Sequence, residues 1–395
     1  MKATVNRLAL ISIIADILMV TGTKATLPIC TATLFQAKGG LLTMAGTDLQ
    51  TALTASLKAK VGRSGQAVAF TKPVLNFLKA VTSETVTLSD KGKTVVIEAG
   101  RASTTIEAMA AKDFPPLPKR INSLPASVSN LSEALGTVDY AMQKEENRPV
   151  LHAVYLDSNK LAAADGYRLA VADLKARGKL PKFIIEFKAA GLIKAIFPGS
   201  VKIAYRETKT NPITKHLQVE SKDRLLVTVG ISGNFPNYTP LIPVYRKAVK
   251  FEKKDMLEAL KLMVMANPVM PNTRLITKGH NLSVFTFDNE AKTEMTIPCQ
   301  GKVKIALNAK QVSEILGHLA DSKVTMRWNA ATSPVVFKAP GAVHVVMPMT
   351  TPETTPEVTK PAYTPAPAPT PPAEAAAAVA QAEEIVKEAC APVTT

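Results

Sequence analysis

The strongest constraint in this sequence is repetition. A short apolar stretch followed by an aspartate-centred turn occurs three times. It runs from Leu27-Pro28-Ile29 to Gly46-Thr47-Asp48-Leu49, from Arg148-Pro149-Val150-Leu151 to Ala164-Asp165-Gly166-Tyr167-Arg168-Leu169, and from Thr273-Arg274-Leu275 to Phe287-Asp288-Asn289. The aspartates stand 117 and 123 residues apart. The first two copies end alike, in Asp113-Phe114-Pro115 and Phe235-Pro236-Asn237-Tyr238, and the third ends in Val346-Met347-Pro348-Met349. A chain built from one unit used three times buries its core by repeating one supersecondary arrangement.

Within each unit the pattern halves again. Helical periodicity begins near Asn6, Lys72, Ser127, Lys188, Glu252 and Asn308. Each start is followed by β-rich sequence such as Val86-Thr87-Leu88, Leu161 to Ala164, Leu225 to Val229 and Val335-Val336-Phe337. Glycine- and asparagine-rich turns divide these strands, for example Lys38-Gly39-Gly40 and Lys278-Gly279-His280-Asn281. Six helices and many antiparallel hairpins predict an α+β fold, with helices on one side and sheets on the other. The N-terminal run has Leu10, Ile13, Ile14, Ile17 and Leu18 at helical spacing and is interrupted by Asp16. It reads as an amphipathic helix packed on the first unit. A cleaved signal peptide is the alternative, and the run is too short to span a bilayer.

The chain carries +16 overall. Residues after Met349 hold six acids and two lysines, −4, so the body through Met349 carries +20. Such a charge favours a polyanion, nucleic acid before anionic membrane. One Trp and seven Tyr argue against base stacking as the main mode of contact. The helices start with Lys72 and Lys79, Lys188 and Lys194, Lys250, Lys253, Lys254 and Lys261, and Lys310. If equivalent helices line one face, that face is positive. Lysine on its flexible stem holds phosphates without fixed geometry.

Catalytic chemistry is not legible. The five histidines show no metal-ligand spacing, and Cys30, Cys299 and Cys390 are too scattered for a zinc site or a disulfide framework. Neither a phosphate-binding glycine loop nor a nucleophile elbow is present. The repeated aspartates read as turn residues bonding their own backbone. No cofactor and no metal is expected, and the cysteine usage suits a reducing, cytoplasmic compartment.

Residues 1–349 resemble the bacterial replicative sliding clamp family, the β subunit of DNA polymerase III. The likeness rests on seven landmarks in family order: Thr26-Leu27-Pro28-Ile29, Gly46 to Leu49, Asp113-Phe114-Pro115, Arg148 to Leu151, Asp165 to Ala170, Phe235 to Tyr238 and Val345 to Met349. The resemblance implies three pseudo-repeated clamp domains, at residues 1–121, 122–246 and 247–349. It implies a head-to-tail homodimeric ring whose helices line a hole for double-stranded DNA, with antiparallel sheets outside. It also implies a non-catalytic processivity factor that tethers the replicative DNA polymerase, is loaded by an ATP-dependent clamp loader and serves other replication and repair proteins. A clamp-like DNA-binding or regulatory paralogue that forms no loaded ring is the alternative.

Carried over residue by residue, the family's partner-peptide pocket falls on Leu151, Ala164, Gly166, Tyr167, Arg168, Leu169, Pro236, Leu241, Val345, Met347, Pro348 and Met349. DNA-facing positions fall on Lys24, Lys72, Lys79, Lys144, Arg148 and Lys188. The subunit interface falls on Thr104 and Ile106 of an edge strand, meeting a helix at Val264 and Met265. Departures are Tyr167 where histidine is usual, Ala164 in place of threonine, and the positive overall charge.

A further departure is the 46-residue extension from Thr350. Residues 350–372 read as a Pro/Thr/Ala-rich extended linker, and 373–395 as an Ala/Glu-rich helix and tail. Gln381 there is followed by Ala-Glu-Glu-Ile, not by bulky apolar residues. Deleting residues 351–395 is therefore expected to leave ring assembly and polymerase-peptide affinity unchanged; a gain in affinity by fluorescence titration would show the tail to be autoinhibitory.

Overall fold

The computed structural model describes residues 1–208, 213–242, 244–286 and 292–349. The linker, tail helix and Cys390 read from the sequence lie outside these residues, as does Asp288.

Among the described residues there are six α-helices: α1 (Arg7–Thr21), α2 (Thr71–Ala80), α3 (Leu131–Val138), α4 (Phe187–Ile196), α5 (Lys253–Ala266) and α6 (Ala309–Gly317). Each follows directly, or within a few residues, on a strand. At three of these joints the last strand residue caps the helix: Asn6 accepts from the Ala9 N–H, Glu186 from Ala189, and Asn308 from Lys310 and Gln311. Five helices start within a residue of expectation. The third does not, because residues 126–128 form a strand paired with 176–177 and 201–203, and α3 opens only at Leu131.

The order strand, helix, three strands occurs twice in each third of the chain. The first third runs Lys2–Asn6, α1, Ala32–Lys38, Leu41–Thr47, Thr51–Lys58, then Gly65–Phe70, α2, Thr85–Asp90, Thr94–Ala99, Ala102–Met109. The second runs Ala126–Val128, α3, Ala153–Asp157, Lys160–Ala164, Arg168–Asp173, then Lys182–Glu186, α4, Val201–Glu207, Lys215–Glu220, Arg224–Val229. The third runs Lys247–Glu252, α5, Asn272–Lys278, Asn281–Thr286, Glu294–Gln300, then Lys304–Asn308, α6, Lys323–Trp328, Val335–Ala339, Ala342–Val346. Helices pack in pairs, α1 on α2, α3 on α4 and α5 on α6. The fold is α+β, as the sequence predicts.

Two antiparallel ladders join the thirds. Residues 224–228 pair with 51–55, and residues 168–172 pair with 342–346. In both, the last strand of one third meets the fourth strand of the third before it. The resulting sheets have 14 and 12 strands. Behind them α1 contributes Leu10, Ile13, Ile14, Ile17 and Val20 to a core continuous with that of α3 and α4. Burying each such side chain stabilises by roughly 1.5–3 kcal/mol. Asp16, the break in the apolar run, faces Arg224 at 2.6 Å and so ties α1 to the first ladder. No helix among the described residues is long and apolar enough to cross a membrane.

The second seam hides a polar cluster. His344 is fully buried, and its Nδ1 shares a 2.8 Å hydrogen bond with the Tyr140 hydroxyl. Tyr140 stacks on His318 at 4.4 Å, and Arg168 lies over its ring at 5.3 Å. Arg168 also pairs with Asp165 at 2.9 Å and with Glu314. Burial, then the neighbouring His318, pushes the His344 pKa down to about 4. An unfolded histidine titrates near 6.5. Between those values the unfolded chain binds a proton that the folded chain refuses. The contribution is therefore fully present above about pH 6.5 and is lost as pH falls towards about 4. Urea midpoints measured from pH 7 to pH 4 should show this loss, and His344→Gln should remove that component of the slope.

Candidate partner and DNA interface

The two described turn aspartates do the same work. Asp48 Oδ1 accepts the N–H groups of Gln50 (3.1 Å) and Thr51 (2.7 Å); Asp165 Oδ1 accepts those of Tyr167 (2.9 Å) and Arg168 (3.0 Å). The residue after each aspartate has positive φ, 78° at Leu49 and 94° at Gly166. Glycine suits that conformation. At Gly166 the backbone angle is the reason for glycine, since a Cβ there would meet only Arg148 Nη1 at an ordinary 3.7 Å.

The Asp165 turn sits where the second ladder ends. Arg168 pairs with Val346 and Leu169 with Val345 in the ladder, and the Met347 N–H donates to the Tyr167 carbonyl at 2.7 Å. Leu169 and Val345 are buried at 2% exposure in a small apolar cluster with Ala162, Val171, Val336 and Tyr238. Ala164, Phe235 and Ile242 pack against it. Tyr155 stacks on Phe235 at 4.9 Å, and Tyr238 donates to Asp157 at 3.0 Å. Around this floor Met347, Pro348, Met349, Leu151 and Ala164 are half-buried, while Gly166, Tyr167, Pro236 and Leu241 are exposed. The Arg148 turn that carries Leu151 approaches through the Arg148–Gly166 contact. Of the residues expected to line one pocket, the ladder and its turn bring together Ala164, Gly166, Tyr167, Arg168, Leu169, Val345 and Met347. An apolar floor with two half-buried methionines is suited to an adaptable apolar partner.

Arg168, expected among the lining residues, differs in burial from those around the floor. It is 6% exposed, and its guanidinium is committed to Asp165 and Glu314, so it braces the turn from behind. Sequence reasoning also missed Phe235, Tyr155 and Tyr238. The recurring Phe-Pro ending was a signal for the first, since Phe114 likewise packs with Ala32 and Val68 in its own unit.

The basic positions divide. Lys24, Lys72, Lys79, Lys144 and Arg148 are exposed. Lys72 and Lys79 share one face of α2. Lys188 is not free: its ammonium donates to the Val20 carbonyl at 3.0 Å and pairs with Asp48, holding the C-terminal end of α1. Lys194 pairs with Asp139, and Lys253 donates to the Leu319 carbonyl at 2.8 Å. α1 and α3 carry no lysine. A uniformly basic set of helix faces is therefore not found. Lys72, Lys79, Lys254, Lys261 and Lys310 have no ion-pair partner among the described residues.

At the expected interface, Ile106 is 8% exposed and faces its own core. Strand alternation turns Ser103, Thr105 and Glu107 outward instead, with Thr104 half-buried. On α5, Val264 is half-buried, whereas Met265 is 68% and Leu262 40% exposed.

Comparison with known proteins gives these features a context. The family model described as DNA polymerase III beta subunit, N-terminal domain, matches residues 1–118. The beta sliding clamp of Synechococcus elongatus is 28% identical over 332 residues, covering 78% of this chain and 88% of that protein. The beta sliding clamp of Chlamydia muridarum is 24% identical over 367 residues, covering 88% and 99%. Among solved structures, the DNA polymerase sliding clamp of Bacillus subtilis superposes with a TM-score of 0.79 at 20% identity, over 89% of this chain and 99% of that one. The DNA polymerase III beta subunit of Bartonella birtlesii gives 0.81 at 20%, over 89% and 100%. With the thrice-used unit, its two ladders and a first third that matches the family's N-terminal domain, the chain is a distant homologue of the beta sliding clamps, DNA polymerase III beta subunits, over most of its length.

Proposed function

We propose that this chain is a DNA sliding clamp: a non-catalytic factor that closes as a head-to-tail homodimer around duplex DNA and tethers a replicative polymerase. One observation carries the reading. The last strand of each later third pairs with the fourth strand of the third before it. Two strands are left over by that rule: the last strand of the first third, Ala102–Met109, and the fourth strand of the last third, Glu294–Gln300. A second copy placed head to tail supplies a partner for residues 102–107 and 294–298, the stretches of these strands that pair on one side only. Two copies then contribute twelve helices, with residues 1–121, 122–246 and 247–349 as the three domains of each.

An unpaired strand edge is otherwise a liability for aggregation. The contact is carried by the backbone edge of 102–107 rather than by Ile106, and by exposed Leu262 and Met265 on α5. The free lysines Lys72, Lys79, Lys254, Lys261 and Lys310, with Lys24, Lys144 and Arg148, supply weak phosphate contacts that permit sliding. The groove beside the Asp165 turn receives the peptide motif of polymerase, clamp loader and repair partners. No step of bond chemistry is assigned to the chain, and the cytoplasm is its place of work.

Two measurements test this. Sedimentation equilibrium should give a dimer, near twice 42.1 kDa. Protein loaded by a clamp loader should stay on circular DNA and leave once the circle is cut; a stable monomer, or release from intact circles, sinks the proposal.

The groove has its own test. Met347→Ala with Met349→Ala should weaken a glutamine-plus-hydrophobic polymerase peptide by roughly 2 kcal/mol or more, the usual cost of truncating an interface anchor. The sedimented mass should not change. Unchanged peptide affinity in the folded variant would place the partner site elsewhere.

A further inference from the structure

The chain's positive charge is not mainly on its helices. The six helices hold nine lysines and arginines against five acids, +4 of the body's +20. We propose that one of the remaining basic regions, at the sheet edge of the first third, is a second nucleic-acid surface that binds a phosphodiester backbone without threading.

The surface is built on the short strand Lys60–Arg63, which ends the 14-stranded sheet and pairs only with Lys2–Asn6. The register sets Lys2 opposite Arg63 and Thr4 opposite Lys60. Alternation buries Ala3 and Val5, leaving Lys2 and Lys60 exposed. Directly opposed residues on one face stand about 5 Å apart. The Lys2 stem lies 3.9 Å from where a Cβ on Gly62 would be. Arg63 Nη2 donates to the Asp90 carbonyl at 2.7 Å, which fixes the turn bearing exposed Lys91 and Lys93 beside the strand pair.

Asp90 answers Arg63 and the Met1 amino group but none of the four lysines. Its Oδ1 accepts the Gly92 N–H at 2.8 Å, and its Oδ2 meets the Met1 amino group at 3.3 Å. Glu98 stands two strands beyond Thr4, opposite Thr87, and Glu107 stands opposite Thr94 beside Lys93 without an ion pair to it. Among the described residues none of the four lysine ammonium groups has an ion-pair partner. Like charges held together without a counter-charge are unfavourable until a polyanion arrives. The strand pair and turn offer no aromatic ring and no large exposed apolar side chain. Base stacking and an apolar protein anchor are thereby both ruled out, and phosphate contact remains.

The test uses the full-length protein without loader, on a covalently closed duplex minicircle, which cannot thread a closed ring, and on a 30-nucleotide single strand. Lys2→Glu, Lys60→Glu and Lys93→Glu together should weaken binding at least tenfold at low salt. Three lost phosphate contacts should flatten the slope of log K against log salt by about 2.7 for duplex or about 2.1 for single strand. Lys179→Glu with Lys222→Glu, two exposed lysines of the middle third, should change minicircle affinity less than twofold. Should the triple variant melt below the wild type, Lys2→Gln with Lys60→Gln replaces it, with the same ordering expected. Wild-type affinity in the patch variant, or an equal loss in both variants, overturns the proposal. Which probe binds more tightly decides between duplex and single strand. Dimer mass and loader-dependent retention on circles read the ring separately, so failure here leaves that reading standing.

Discussion

Strand pairing across the seams is the interaction on which the rest depends. A β-edge presents a row of backbone donors and acceptors that must be paired or solvated. The chain pairs two such edges internally, at 51–55 with 224–228 and at 168–172 with 342–346. Each ladder is reinforced from behind by a longer-range polar tie. Asp16 and Ser12 of α1 hold Arg224 at the first, and Tyr140 holds His344 at the second. The hydroxyls of Thr51 and Thr228 meet at 2.9 Å across the first ladder, so even its buried polar groups are satisfied. The ladders bring the thirds into one continuous surface, and the apolar cluster around Leu169 and Val345 forms where the second ladder ends beside the Asp165 turn.

That cluster is accordingly a product of the seam rather than of any one third. Tyr167 and Gly166 come from a turn in the middle third, Met347 and its neighbours follow the last strand, and Phe235 and Tyr238 arrive from the segment linking the two. Behind them Arg168 joins the Asp165 turn to Glu314 of α6. Removing one member of such a largely buried charge group leaves the others uncompensated. Arg168 is thus part of what holds the seam together.

The charge distribution separates steering from holding. Lysines at the starts of α4 and α5 are used to satisfy the carbonyls of Val20 and Leu319, and Lys194 to pair with Asp139. The lysines without such duties are spread over α2, α5, α6 and the sheet surfaces. A diffuse field of this kind attracts a polyanion from a distance and grips it weakly at any one point. Those are the properties that the proposed sliding on DNA requires.

Much was legible in the sequence because it was local. The turn aspartates bond N–H groups two and three residues ahead, the caps Asn6 and Asn308 act within their own helices, and the alternation of strands such as Lys2–Asn6 reflects which face is buried. Repetition at fixed spacing then fixed the α+β class. Residues 126–128 were misread as helix because Ser-Val-Ser-Asn resembles a capped start, and only pairing with 201–203 makes them a strand. What remained hidden was decided by partners far along the chain. Lys188 meets Asp48 140 residues away, Arg168 meets Glu314 146 away, and Tyr140 meets His344 204 away. The sequence by itself determined the unit, its repetition and its local turns, since those depend on neighbours in the chain. Only the tertiary structure decided which basic residues are free, which pocket residues are floor or brace, and which strand edges stay open, since those depend on neighbours in space.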